Sequence, residues 1–419
     1  MPPSVHGKTD SLPAKVYSGG LTGEEAGQAR VKRIPSFRTL DALRGFAALW
    51  VVMDHSCDRF LGGANPVYTH QPLYAFAIRG GLGVVLFFVI SGYCITAAAH
   101  GALYSGKKLS RYWFERGRRI FPPYWTALIL GMVAQLALRI AESHHWIPKV
   151  NHPKSIALVS SPIYWIANFT LTQTEFNTDF ANIVFWSLCY EVAFYVVVGA
   201  CLFGAQRLAR IRGIAFGQLT LILALATTTL ASLLALIVFD GSVFPFELWP
   251  QFAVGGLLFY VIDSSPETIA GYSTGLRRIL NGVAAATLVA LGLYAWLRPG
   301  DNSDIGHPPN AIRTSLCLLF CLLLAGIRRY DAQIAGSIWV RPMLWLGACS
   351  YSLYLIHPVV LPFVDVACRR AGLDGPRYWI TFWIEVTVAI VFGRLFYVLV
   401  ERHFVSSRQT NRLIEEKAA

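Results

Sequence analysis

Charged residues are scarce in this 419-residue chain, where Asp, Glu, Lys and Arg together make up only 14% of the sequence. An ordinary globular protein has about 25%. Apolar residues account for 55%, and the mean hydropathy is +0.48. A soluble domain of this size has too little interior to bury so much apolar surface, so part of that surface must face lipid. The composition therefore excludes a disordered protein, a collagen-like fibre and a disulfide-stapled secreted module.

The eight cysteines and ten histidines lack the spacings of metal sites. The sequence contains no CxxC pair and no HExxH pattern. Most of the cysteines fall inside apolar runs, where they are expected as small buried side chains. We therefore predict no metal site.

A signal peptide is also missing, because residues 1–37 contain no continuous apolar stretch. They are polar, rich in Gly, Pro and Ser, and basic toward their end, so we predict a mobile cytoplasmic tail. Residues 404–419 are predicted to form a second cytoplasmic tail. Residues 38–403 between them are predicted to form one transmembrane domain.

Ten apolar runs are long enough to cross a hydrocarbon core of about 30 Å as helices. With the N-terminus inside, 24 Lys and Arg residues lie on the inner side of the membrane and 8 on the outer side, as the positive-inside rule requires. Counting residues 156–172 as an eleventh span would leave 16 on each side. We therefore interpret that segment as an interfacial or re-entrant part of a long outer loop, residues 141–181. The ten runs are residues 39–57, 80–99, 119–140, 182–204, 214–239, 245–262, 278–297, 311–328, 344–365 and 377–399.

The sequence thus predicts an all-α, polytopic membrane helix bundle of about ten transmembrane helices with no soluble domain. A net charge of +12 would also fit a nucleic-acid-binding protein. The basic residues, however, lie between the apolar runs, where they set membrane topology. The predicted partner of this charge is the lipid bilayer and not a nucleic acid.

Arg44 and His55 are ionisable residues within the first apolar run, where each such side chain costs about 2.5–3.5 kcal/mol. Eleven positions of an α-helix amount to three turns plus about 20°, so both side chains project from one face, roughly 16 Å apart. That face must point into the bundle or a wet cavity. A buried ion pair with another helix is the alternative explanation.

Arg116 and Arg119 lie three positions apart, on one face of a helix just inside the third run. Two guanidinium groups at this spacing suit a ligand with several phosphates, which they can bind bidentately. Ordinary anchoring of a helix at the inner membrane surface explains them equally well.

Glu191 and His357 are further polar residues deep inside apolar runs, the fourth and the ninth. Counted from the run ends, both fall near the membrane midplane or in its outer half, as His55 does. Two histidines and a glutamate at similar depth, among Trp and Tyr, predict a reaction or transport site.

These residues fall in segments that resemble the integral-membrane acyltransferase 3 family of bacterial O-acyltransferases, which modify surface polysaccharides, oligosaccharides and antibiotics. Arg44 and His55 match its Arg-x10-His motif, and Arg116 and Arg119 match its RxxR motif. The resemblance runs from about residue 40 to residue 403. Its further segments are FFVISGY at 87–93, IFPPY at 120–124, WSLCYE at 186–191 and SYSLYLIHP at 350–358.

The chain departs from the family pattern at two places. The terminal Glu-Arg-Pro of many members is here Glu401-Arg402-His403, and Asp54 precedes the histidine where an apolar residue or Tyr is usual. The sequence also ends soon after the last run, so we expect no hydrolase-like domain at its C-terminus.

The resemblance implies a multi-pass enzyme of the bacterial cytoplasmic (inner) membrane. It would transfer an acyl group, with acetyl expected, from acyl-CoA to a hydroxyl of a carbohydrate or glycoconjugate. Acyl-CoA would be a co-substrate, and no permanently bound cofactor is implied. Arg116 and Arg119 would hold its phosphates.

In this interpretation His55 is the general base that takes the proton of the acceptor hydroxyl. Transient acylation of its imidazole is an open alternative. Arg44 would act on the donor side or stabilise negative charge on the thioester oxygen. Glu191 and His357 would complete the catalytic site by orienting acceptor or donor.

A non-enzymatic carrier or flippase is the rival hypothesis, with the buried charges acting as a relay. Transporters often consist of two related halves with broken helices in matching places. The sequence has no such internal correspondence, which favours the enzyme.

Overall fold

The computed structural model describes residues 37–61, 71–147, 161–238, 244–262, 310–373 and 378–405, together with four single helical positions between 282 and 293. Within these residues the chain is helical and has no β-strand, which confirms the all-α prediction. Most of the predicted span 278–297 and of both predicted tails lies outside the described residues, so the three-part domain division stays a prediction.

Thirteen α-helices are named here in chain order for the described residues, with two single-turn 3-10 helices at Arg328–Tyr330 and Glu401–His403. The α-helices are α1 Thr39–Leu61, α2 Pro72–Ala77, α3 Leu82–Tyr104, α4 Leu109–Ser143, α5 Pro162–Thr170, α6 Trp186–Arg212, α7 Ile214–Val238, α8 Trp249–Ile262, α9 Asn310–Ile327, α10 Asp331–Gly336, α11 Arg341–Ala348, α12 Ser350–Arg370 and α13 Tyr378–Leu399.

Among the described residues, six of these helices are long and apolar enough to cross a membrane: α3, α4, α6, α7, α12 and α13. Their outer surfaces fit this role, since large apolar side chains such as Val133 and Leu136 of α4 are more than half exposed. The protein is therefore an integral membrane helix bundle, and the predicted number of ten spans is approximate.

Several helix starts differ from the predicted spans, and α4 begins ten residues earlier than predicted, at Leu109. The run 344–365 is divided at Cys349 into α11 and α12, because the Glu401 carboxylate accepts hydrogen bonds from the backbone N–H and the hydroxyl of Ser352 in the first turn of α12. The fourth run begins at Trp186 and not at residue 182. Ahead of it, the nine residues of α5 extend over only about 14 Å, too short to span the membrane.

The N-terminus of α1 is fixed by Asp331 of α10. The Asp331 carboxylate accepts hydrogen bonds from the N–H groups of Arg38 and Thr39, at 3.1 and 2.8 Å, and from the Thr39 hydroxyl at 2.6 Å. A carboxylate here satisfies helix N–H groups and complements the positive end of the helix dipole. This cap holds in place the helix that carries Arg44 and His55.

Helices α3 and α8 cross in direct backbone contact. A Cβ atom at Gly92 would collide with the carbonyl of Phe252, and one at Gly255 with the carbonyl of Val89. Small residues permit such close approach in membrane bundles. Next to the crossing, the Phe252 ring centroid lies 4.5 Å from that of Phe88 and 4.4 Å from that of Phe194. The face of α3 that lines the candidate site is therefore rigidly supported.

Candidate active site

A cavity between α1, α3, α4, α6 and α12 contains about 770 Å³ of empty space, including its open mouth. One group of lining side chains is polar, and it comprises Arg44, Ser91, Arg116, Arg119, Glu191, Tyr195 and Ser350. The apolar group includes Val84, Phe87, Phe88, Ile95, Ile120 and Leu188. We call this space the cationic cavity.

The lining carries three arginines and one carboxylate, a clear excess of positive charge. Arg44 is also paired with Asp41 at its rim, with 3.8 Å between the charged groups. The Arg116 guanidinium lies 6.0 Å from the centre of the Tyr195 ring, and its buried Nε has no hydrogen-bond partner among the described residues. Such a lining can bind an anionic ligand, because surrounding protein strengthens charge interactions relative to water.

Glu191 is held rigidly in the wall of the cavity. Its Oε1 accepts a hydrogen bond from the Ser91 hydroxyl at 3.1 Å and one from the Tyr195 hydroxyl at 2.8 Å. Because α6 begins at Trp186, Glu191 lies only five residues into that helix. It lines the cavity with the arginines, whereas neither histidine is among the lining residues.

His55 and His357 do come together, with ring centroids 5.0 Å apart and the rings at 66° to each other. His357 is completely buried and His55 is half-buried. We call these two residues the histidine pair.

Each ring is oriented by its own helix. The Nδ1 of His55 lies 2.9 Å from the carbonyl oxygen of Val51, and that of His357 lies 3.0 Å from the carbonyl oxygen of Leu353. A carbonyl oxygen can only accept, so Nδ1 must carry the proton in both rings. In a neutral imidazole this tautomer leaves Nε2 as the basic nitrogen, which is the form that a general base requires.

The four residues predicted to be catalytic are therefore divided between two places. Arg44 lies with Glu191, Arg116 and Arg119 in the cationic cavity, while His55 is roughly 16 Å further along α1. A shared helical face does not bring Arg44 and His55 together, because eleven residues of helix separate them.

Tyr354 of α12 stands between the two places, a position that the sequence argument did not single out. It lines the cavity, and its ring centroid lies 6.1 Å from that of Phe87 and 5.9 Å from that of His357. Its hydroxyl donates to the carbonyl of Val184 at 3.0 Å and shares a 2.7 Å hydrogen bond with the Ser187 hydroxyl. Its position three residues before His357 is the signal that could have identified it.

Comparison with known proteins adds to this geometry. The Acyl_transf_3 family model, described as an acyltransferase domain, matches residues 37–402. A protein of Staphylococcus aureus (strain COL), provisionally named an O-acetyltransferase, is 25% identical over 412 residues, covering 90% of this chain and 59% of its own length. The O-acetyltransferase OatA of Staphylococcus aureus (strain NCTC 8325 / PS 47) is 23% identical over 387 residues, covering 86% and 56% respectively. The chain thus spans less than two thirds of these relatives, and no solved structure matches it.

Proposed function

We propose that this chain, which belongs to the Acyl_transf_3 family, transfers an acyl group from acyl-CoA to a hydroxyl of a carbohydrate or glycoconjugate. The family membership confirms the resemblance on which the prediction depended. Relatives named as O-acetyltransferases favour acetyl as the group transferred. The enzyme would act in a bacterial cytoplasmic membrane, where acyl-CoA reaches it from the inside.

The observation that carries this proposal is the separation of Arg44, in the cationic cavity, from His55, in the histidine pair, by roughly 16 Å along α1. A donor that uses both places must have a charged end and a reacting carbonyl that are far apart. Acyl-CoA has this form, since a long, uncharged pantetheine arm joins its phosphates to its thioester. Its phosphates would bind to Arg44, Arg116 and Arg119, and its thioester would lie at the histidine pair.

The chemistry then begins at His55 Nε2, which accepts the proton of the acceptor hydroxyl as that oxygen attacks the thioester carbonyl. A carbon–oxygen bond forms, the carbon–sulfur bond breaks, and the CoA thiolate leaves and takes up the proton from the imidazolium. His357 lies within contact distance of His55 and would orient the acceptor or share this proton. Arg44 lies too far from His55 for direct contact with the same carbonyl, which supports a donor-binding role.

The proposal is tested with purified protein in detergent, where no transmembrane gradient can exist. Radiolabelled acetyl-CoA and a soluble oligosaccharide acceptor should give free CoA thiol and acetylated product, and a reaction without acceptor measures hydrolysis. A carrier would show neither product in detergent but would move substrate across reconstituted vesicles. That combination would overturn the enzyme proposal.

A further inference from the structure

Ser350 is a buried polar residue that the mechanism above does not use. It is the first residue of α12, lines the cationic cavity and has no solvent exposure. Its hydroxyl has no hydrogen-bond partner among the described residues. Leaving a buried hydroxyl unsatisfied costs free energy, so native proteins rarely do so without a ligand or a water molecule to complete the site. Ser350 differs from other buried hydroxyls that lack a partner in the described part of the chain, such as that of Thr96, because it lines the cavity, where a polar ligand atom can complete its hydrogen bonding.

The N-terminus of α12 adds a second attraction for an anion. The first turn of a helix presents N–H groups without intrahelical partners, and the helix dipole places partial positive charge there. In this turn the Glu401 carboxylate accepts the N–H of Ser352 at 3.1 Å and its hydroxyl. Glu401 interacts electrostatically with Arg44 and Arg119 but does not line the cavity, whereas Ser350 does, together with three arginines. On its cavity side, the N-terminus of α12 thus combines the Ser350 hydroxyl, the positive end of the helix dipole and the nearby guanidinium groups of the three arginines.

We propose that the Ser350 hydroxyl and the N-terminus of α12 bind a phosphate group of the CoA donor, in concert with Arg44, Arg116 and Arg119. The inference rests on the proposed function and assigns Ser350 as a donor-binding residue. A phosphate oxygen accepts from the hydroxyl, while the guanidinium groups neutralise the charge.

The position of Ser350 also excludes a catalytic role for it. Seven residues of α12 separate Ser350 from His357, which is about 10 Å along the helix axis. His357 is therefore too far away to activate the Ser350 hydroxyl as a nucleophile. From a phosphate at Ser350, the pantetheine arm would run along α12, past Tyr354, to the histidine pair.

The test compares two donors that carry the same thioester, acetyl-CoA and S-acetylpantetheine, of which only the first has phosphates. Ser350→Ala should weaken CoA binding about tenfold, because a hydrogen bond to a charged group is lost. Ser350→Asp should weaken it further, since it adds a like charge to the anion. The KM for S-acetylpantetheine should stay at the wild-type value in both variants, which a merely structural role of Ser350 would not produce.

Thr96→Val is the matched control, because Thr96 also has a fully buried hydroxyl without a partner among the described residues, but it packs against Gly256 outside the cavity. It should bind CoA as the wild type does. If Ser350→Asp does not fold, the Ser350→Ala result decides alone. Unchanged CoA affinity in Ser350→Ala, or an equal rise of KM for both donors, would overturn the assignment. Wild-type protein that binds no CoA would instead refute the donor itself and with it the proposed function.

Discussion

The cationic cavity and the histidine pair are held together by different kinds of contact. In the cavity, side chains fix one another, since Glu191 of α6 accepts hydrogen bonds from Ser91 of α3 and from Tyr195 one turn later in α6. In the histidine pair, each imidazole is fixed by a backbone carbonyl one turn earlier in its own helix. Contacts between side chains therefore hold the cavity wall, while the tautomer of each histidine is determined by the helix itself.

Binding and chemistry are therefore separable in this bundle. Three arginines line the cavity, and His55, whose proton position is defined, lies roughly 16 Å from Arg44 along α1. Substitutions in one place should then change the affinity for the donor, and substitutions in the other should change turnover. Variants in either place test that separation.

The largest effect is expected for His55→Ala. General base catalysis contributes about 10²–10⁴-fold, so turnover should fall by at least about that factor while CoA affinity stays unchanged. The measurement is acyl transfer at equal membrane abundance and saturating acetyl-CoA. His100→Ala is the matched control, because His100 is a buried histidine of α3 that packs against Tyr104 and Phe259. Transfer by His55→Ala within a few-fold of wild type would make His357 the candidate base.

The arginines of the cavity should show the opposite pattern. The Arg116→Ala/Arg119→Ala double variant should lose about 10- to 100-fold in CoA affinity, because two charge-assisted contacts disappear. Arg116→Lys should also bind CoA more weakly although it keeps its charge, since lysine cannot form the bidentate contact. Calorimetric titration with CoA measures both. An unchanged affinity in the double variant would leave only a membrane-anchoring role.

Loss of Glu401 should chiefly lower stability. Glu401→Ala removes the acceptor for two buried donors of Ser352, so it should cost about 1–2 kcal/mol of stability. Thermal unfolding in detergent gives the shift. Glu115→Ala is the control, since the Glu115 carboxylate is 37% exposed and its ion pair with Arg111 should contribute little. A loss of turnover in Glu401→Ala without a loss of stability would contradict the capping role.

Much of the fold follows from hydropathy, because lipid requires long apolar helices wherever the chain crosses it. Hydropathy does not predict the start of α12, because that start depends on Glu401, which is 49 residues away from Ser352 in the sequence. The pairing of the histidines was predictable from their depth, whereas the place of Glu191 was not. Its depth depends on where α6 begins after α5, and no local pattern encodes that point. The role of Ser350 was likewise not predictable from the sequence. Only burial and the absence of a partner among the described residues distinguish its hydroxyl.

The smallest effect should come from Tyr354, which separates the two regions. Tyr354→Phe keeps the ring against Phe87 and His357 but removes the hydroxyl that contacts Ser187 and Val184. The Ser187 hydroxyl retains its hydrogen bond to the Val184 carbonyl, so no buried donor is left without an acceptor. Turnover should therefore fall only a few-fold.

The matched control for this variant is Tyr124→Phe. It removes a hydroxyl that donates to the backbone carbonyl of Asn168, away from the cavity lining, and should leave acyl transfer unchanged. Steady-state kinetics at varied acetyl-CoA separates the outcomes. A few-fold decrease confined to kcat would mean that the Tyr354 ring, without its hydroxyl, is enough to position the pantetheine arm and thioester of the donor. A decrease as large as that of His55→Ala would mean that the Tyr354 hydroxyl takes part in proton transfer. The chemistry would then extend into the cavity, and the separation of the two regions would be wrong.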